Sequence, residues 1–291
     1  MAQTIQGTDS MTRINHNIES LVAQNSLYKA DQGLQKAIQQ LSTGLRVNCS
    51  ADDPTNLTAS EKLRSQIRGS DMVTRNTQDA SSLIQIADGA LSEVSEILQR
   101  MRELTVQAAN DTFTTTERSY MDVEFQSLKE ELERIADSTE YNGIPLLSGT
   151  SESFGSTGGP SVIHIGVGNA IGIDTFQIAI DSTTVGALSL VSANLMDTSN
   201  ISSCLSQVDQ AIDQISSTRS ELGAIVNRLD AVMSNLSAQK SNAEAANSVI
   251  TDVDFAQMTT EMTRNQILTQ TSTAMLAQAN SLPSSVLKLF D

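Results

Sequence analysis

Both ends of this chain carry apolar residues at heptad spacing. Near the C-terminus Leu268, Ser272, Met275, Ala279, Leu282, Val286 and Leu289 follow one another at alternating steps of 4 and 3. Near the N-terminus Leu27, Leu34, Ile38, Leu41 and Leu45 keep the same period, with Ile14, Ile18 and Leu21 upstream in a shifted register. A stripe of this kind on a thin, otherwise polar helix cannot bury itself alone. Each end therefore needs a partner: the other end of the same chain first, and neighbouring copies next. Self-association is the first expectation.

Composition points the same way. Trp is absent, and 291 residues include 3 Tyr and 6 Phe. Aromatic side chains supply the largest burials in a thick core, so their scarcity suits narrow helix-on-helix seams. The net charge of −16 repels phosphate backbones and argues against nucleic-acid binding. No apolar run approaches the roughly 20 residues needed to cross a bilayer, so no membrane insertion is expected. The first 25 residues hold a single basic residue, Arg13, and no apolar core, so no cleavable secretory signal is expected. With two Cys and two His, Cys49, Cys204, His16 and His164, none in a ligand spacing, no catalytic residue, metal site or cofactor is expected.

Residues 1–11 read as a disordered extension. A first helix is predicted from Thr12 to Leu45, then a polar break over Asn48–Pro54. A long helix over about 57–110 has its seam at Ile84, Ala87, Leu91, Val94, Leu98 and Met101. After a turn, Thr115 or Thr116 caps a helix over 116–138, which Asn142-Gly143 and Pro145 stop. Glycines then punctuate 148–198, and the period changes to 2 at Phe176, Ile178 and Ile180, which reads as a small β-hairpin cap. Helical heptads return at Ser202–Asn247 (Val208, Ile215, Leu222, Leu229, Leu236, Ala243), interrupted by Arg219 and Lys240. The last helix follows a polar junction, and Pro283 is expected to kink or end it. The predicted fold is mainly α: an elongated helical bundle or coiled coil of paired N- and C-terminal segments, with the small β-hairpin region at the distal end.

Several runs carry a family resemblance. They are Arg13-Ile14-Asn15-His16-Asn17-Ile18, Leu41-Ser42-Thr43-Gly44-Leu45-Arg46-Val47-Asn48, Leu98-Gln99-Arg100-Met101-Arg102-Glu103-Leu104 and Val106-Gln107-Ala108-Ala109-Asn110. Leu222-Gly223-Ala224, Asn265-Gln266-Ile267-Leu268 and Ala274-Met275-Leu276-Ala277-Gln278-Ala279-Asn280 complete the pattern. The chain resembles bacterial flagellin, the subunit of the flagellar filament. The resemblance covers about 12–149 and 199–291 and is weak over 150–198. It implies an inner coiled-coil domain of 12–52 with 250–291, and a helical rod domain of 53–149 with 199–249. Residues 150–198 would be the Gly-rich cap. It implies an extracellular structural protein that polymerises with itself and is exported unfolded through the flagellar type III apparatus. A hook–filament junction protein is the alternative.

The resemblance also implies partners. These are an export chaperone on the C-terminal helix, the flagellar cap and hook-associated proteins, and a host Toll-like flagellin receptor. The expected subunit interface of the inner coiled coil is Ile14, Ile18, Leu21, Leu34, Ile38, Leu41, Leu45, Leu268, Met275, Leu282, Val286 and Leu289. Arg100, Leu104 and Glu124 match positions that the family uses for receptor or inter-subunit contact. Arg100 and Leu104, at i and i+4, are expected on one helix face. Cys49 and Cys204 depart from the family pattern and are expected to be free thiols.

Overall fold

The structure, a computed structural model, describes residues 16–149, 154, 161–170, 172–196 and 198–287, with backbone alone for 198–199 and 282–287. Among the described residues it is mainly α, with five helices: α1 (Ile18–Thr43), α2 (Pro54–Ala108), α3 (Thr115–Ser138), α4 (Thr198–Thr251) and α5 (Phe255–Leu287). Two antiparallel hairpins lie between α3 and α4: β1 (Glu140–Tyr141) with β2 (Ile144–Pro145), and β3 (Ser161–His164) with β4 (Thr175–Ile178). The chain divides into two compact units, Met1–Arg64 with Ala243–Asp291, and Ser65–Asn242.

The core of the Ser65–Asn242 unit is the seam expected on α2. Ile84, Ala87, Leu91, Val94, Leu98 and Met101 are all fully buried. They meet Val208, Ile215, Leu222 and Leu229 of α4 and Met121, Phe125 and Leu132 of α3 in one cluster. Ion pairs join α2 to α4: Asp71 with Lys240 at 2.6 Å, Asp88 with Arg219 at 2.9 Å and Arg102 with Asp209 at 2.6 Å. Rising numbers on α2 meet falling numbers on α4, so the two helices are antiparallel. The charges that interrupt the α4 heptads thus answer charges on α2. Each pair is half-exposed and contributes at most about 1 kcal/mol.

Local chemistry fixes the boundaries. Thr114, one residue before the expected caps, caps α3: its hydroxyl accepts from the Glu117 N–H, and the Glu117 carboxylate accepts from the Thr114 N–H. This capping box satisfies two otherwise orphaned donors. Asn142 and Gly143 do more than stop α3. Their φ values of 53° and 77° are those of a two-residue hairpin turn, and they join β1 to β2. Phe176, Ile178 and Ile180 are buried as the alternation predicts.

Beyond β4 the chain is an irregular strap held by one stripe of α3. Asp122 accepts the Leu195 N–H at 2.8 Å, and Gln126 donates to the Ala193 carbonyl at 3.3 Å. Lys129 donates to the Val191 carbonyl at 2.9 Å, and Glu133 accepts the Val185 N–H at 2.7 Å. These four residues recur at helical spacing and pair strap backbone that has no ladder of its own. The strap in turn buries Val185, Leu188, Leu190 and Leu195.

The start of α1 is corrected, and of the two outcomes expected at Pro283, a kink or an end, the end is overturned. His16 and Asn17 are not helical, so α1 begins at Ile18, with Asn17 as its cap, and not at Thr12. The last helix does not end at Pro283: α5 continues to Leu287. The expected disordered extension at 1–11 lies outside the described residues.

Candidate assembly surface

The unit that holds both termini is built on α1 against α5. Among the less exposed positions of α1, Ala23, Leu27, Ala30, Leu34, Ala37 and Leu41 form one stripe, with Ser20, Gly33 and Gln40 beside it. On α5 the stripe is Met258, Met262, Asn265, Thr269, Ser272, Leu276 and Ala279, with Glu261 beside it. Both sets step by 4 and 3. The stripe is therefore a heptad as expected, with Leu27, Leu34, Leu41, Ser272 and Ala279 in it, whereas Leu268 and Met275 lie outside it. Alanines alternate with leucines on α1, and polar or small residues interrupt α5. A Cβ on Gly33 would lie 2.8 Å from Asn265 Nδ2, so this close approach depends on a residue without a side chain.

Several large apolar residues of both helices lie outside this seam. Leu21 is 65% exposed, Met275 58% and Leu268 46%. Ile18, Val22, Tyr28, Ile38, Phe255 and Ile267 are exposed as well. Ile18, Val22, Leu268 and Met275 line a groove of about 540 Å³ beside the seam. Leu34 and Leu41 are half-buried and belong to the seam, while Leu45 is exposed. Ile14 and Leu289 lie outside the described residues, as do the side chains of Leu282 and Val286. Exposed apolar side chains on one helical pair mark a surface to be covered by another molecule.

The junction at the end of α1 is pinned tightly. Gly44 caps the helix, its N–H donating to the Gln40 carbonyl at 2.9 Å. Arg46 N–H donates to the Thr251 carbonyl and Val253 N–H to that of Gly44, forming a short bridge between the ends of α1 and α4. Asp52 gathers the following loop: it pairs with Lys36 at 2.9 Å and accepts the N–H groups of Asn48 and Cys49. The Lys36 ammonium, helped by the Asn48 N–H and the Cys49 thiol, holds the Asp52 carboxyl down at about 2. Ser60 Oγ donates to Asn247 Oδ1 at 2.8 Å, tying α2 to α4 in the same unit.

In the other unit Arg100 reaches Glu124 of α3 through two N–H groups, at 2.9 and 2.7 Å, and Glu103 at 3.0 Å. Arg100 and Glu124 are thus one exposed ion pair. The expectation that Leu104 shares their face is corrected: it is 1% exposed and sits in the core. A step of four on a helix falls short of nothing in spacing but overshoots a full turn by about 40°. That rotation carries Leu104 into the α2 seam. The cysteines are both free, Cys49 exposed and Cys204 buried beside Thr105. Burial raises the Cys204 thiol pKa and keeps it protonated. His16 is exposed beside the start of α1, and His164 is exposed on β3.

Comparison with known proteins agrees with this organisation. The family model of the bacterial flagellin N-terminal helical region matches residues 14–152, and that of the C-terminal helical region matches 205–290. The chain is similar to a flagellin of Halalkalibacterium halodurans, 42% identical over 277 residues that cover 95% of this chain and 98% of that one. A flagellin of Treponema pallidum is 39% identical over 285 residues, covering 95% and 99%. Among solved structures, a putative flagellar hook-associated protein from Vibrio parahaemolyticus shares the fold at a TM-score of 0.56, with 19% identity over 69% of this chain and 99% of that one. No helix of the described residues is long and apolar enough to cross a membrane.

Proposed function

Because this chain belongs to the bacterial flagellin family and is a structural subunit of the extracellular flagellar filament, we propose that its exposed terminal stripes are the surfaces by which copies pack along that filament. The observation that carries this is the exposed apolar surface beside the α1–α5 seam. Alternating large and small residues pair the helices within one chain, and Leu21, Leu268 and Met275 stay exposed for neighbours. Residues 12–52 with 250–291 would form the inner coiled coil, 53–149 with 199–249 the surrounding helical layer, and 150–198 its cap. Seeding purified chain with filament fragments tests this: long helical filaments are expected, and chain that stays monomeric on the seeds would overturn it.

The same surface suits the further partners that the family resemblance implies. Phe255, Ile267 and Leu268 leave apolar area exposed along α5, which an export chaperone would cover while the unfolded chain awaits the type III apparatus. Flagellar cap and hook-associated proteins would meet the same helices at the filament ends. The hook-associated alternative is weaker: that likeness is one of fold, whereas flagellins match over nearly the whole length. The flagellin family is structural, and no catalytic role is assigned to the chain.

For a Toll-like receptor, the exposed Arg100–Glu124 pair is the contact, with Leu104 supporting it from the core. Arg100→Ala in monomeric protein should lower receptor activation at least tenfold, read with a reporter cell line. Unchanged activation would remove the receptor from the list of partners.

A further inference from the structure

Proline inside a helix removes the N–H that would bond to the carbonyl four residues earlier. For Pro283 in α5 that carbonyl belongs to Ala279. Ala279 is 6% exposed, so water has little access to it, and a buried carbonyl without a partner is unfavourable. The missing donor comes from the other end of the chain. Asn17 Nδ2 donates to the Ala279 carbonyl at 2.7 Å. The same side chain caps α1, its Oδ1 accepting the Ser20 N–H at 3.0 Å. One turn of α5 is thus joined to the first turn of α1, and Ser20 Oγ adds a bond to Asn280 Oδ1 at 2.8 Å.

We propose that Asn17 and Pro283 form a proline-keyed lock that fixes the register of α1 on α5. The key is unique in position, because α5 contains a single proline. Sliding Asn17 by a heptad towards the start of α5 would bring it to Ser272, whose carbonyl the Leu276 N–H already takes in a regular helix. The heptads alone would tolerate that slip, whereas the Asn17 amide would lose its acceptor. The proline therefore serves as an address. Asn17 reads that address while holding the start of its own helix.

The test is a double-mutant cycle on filaments of the full chain. Asn17→Ser keeps a capping hydroxyl and removes the amide donor. Pro283→Ala restores a helix N–H to Ala279. Asn17→Ser should lower the temperature at which filaments melt, and its effect should shrink at least twofold in the Pro283→Ala background. Ser20→Ala, which removes the independent bond to Asn280, should have the same effect in both backgrounds. Equal effects of Asn17→Ser in the two backgrounds, or none in either, would overturn the lock. Should Asn17→Ser alone form no filaments, their recovery with Pro283→Ala supports it and their absence overturns it. Growth of wild-type filaments in the same experiment checks the assembly reading separately.

Discussion

Replacing Leu268 and Met275 together by Asp is expected to abolish filament growth and leave the Ser65–Asn242 unit folded. Both side chains are exposed in the single chain, so the substitution opens no cavity there and even favours the soluble subunit. In a filament the same positions would be covered by a neighbour. Each new carboxylate would then lose its water without gaining a partner, which costs several kcal/mol per ion. Multiplied over every subunit contact, that penalty leaves no stable polymer. The measurement is seeded growth followed by sedimentation and electron microscopy, with circular dichroism melting of the monomer as control. Normal filaments from the double variant would place the inter-subunit contacts elsewhere.

Phe125→Ala should have the largest effect on the fold itself. Phe125 is fully buried where α3 meets the α2–α4 seam, and it is one of few aromatic side chains in the chain. Loss of a buried Phe combines lost transfer energy with an unfilled cavity, for about 3–5 kcal/mol. Urea denaturation of the monomer would register this as a lower midpoint with little change in slope. A loss below about 1 kcal/mol would mean that the strap and α3 close over the gap.

The parts of the fold legible in the sequence are those where large apolar residues do the packing. On α2, every residue of the expected seam from Ile84 to Met101 is fully buried, because dense helix packing leaves a clean period. The terminal stripe misled in a specific way. Choosing the biggest apolar side chains finds Leu27, Leu34 and Leu41, which do lie in the seam, but also Leu268 and Met275, which are exposed beside Asn265, Thr269, Ser272 and Leu276. The two heptad sets run along one helix only a residue or so apart, so periodicity by itself does not separate them.

Other features needed a partner in space to be visible. Asn142-Gly143 is a strong turn signal, but the strands it joins have two residues each and no alternation to read. The strap before α4 has no period at all, since Asp122, Gln126, Lys129 and Glu133 hold its backbone from another element. Pro283 reads as a helix breaker until Asn17, at the far end of the chain, supplies what it lacks. For Leu104, the i, i+4 rule located the neighbour of Arg100 correctly along the helix but not the inward turn of the face.

The ion pairs between α2 and α4 resolve an ambiguity that heptads create. A seven-residue repeat matches itself after every slip of seven, so apolar contacts alone would accept several alignments of these two long helices. The charged partners do not repeat: Asp71, Asp88 and Arg102 are spaced differently from Lys240, Arg219 and Asp209. Slide α4 by seven one way and Lys240 faces Arg64, Arg219 faces Ser81 and Asp209 faces Ser95. Slide it the other way and the three face Gln78, Ser95 and Ala109. Weak bonds thus act as a vernier on a ruler with identical marks, giving one alignment where hydrophobicity offers many.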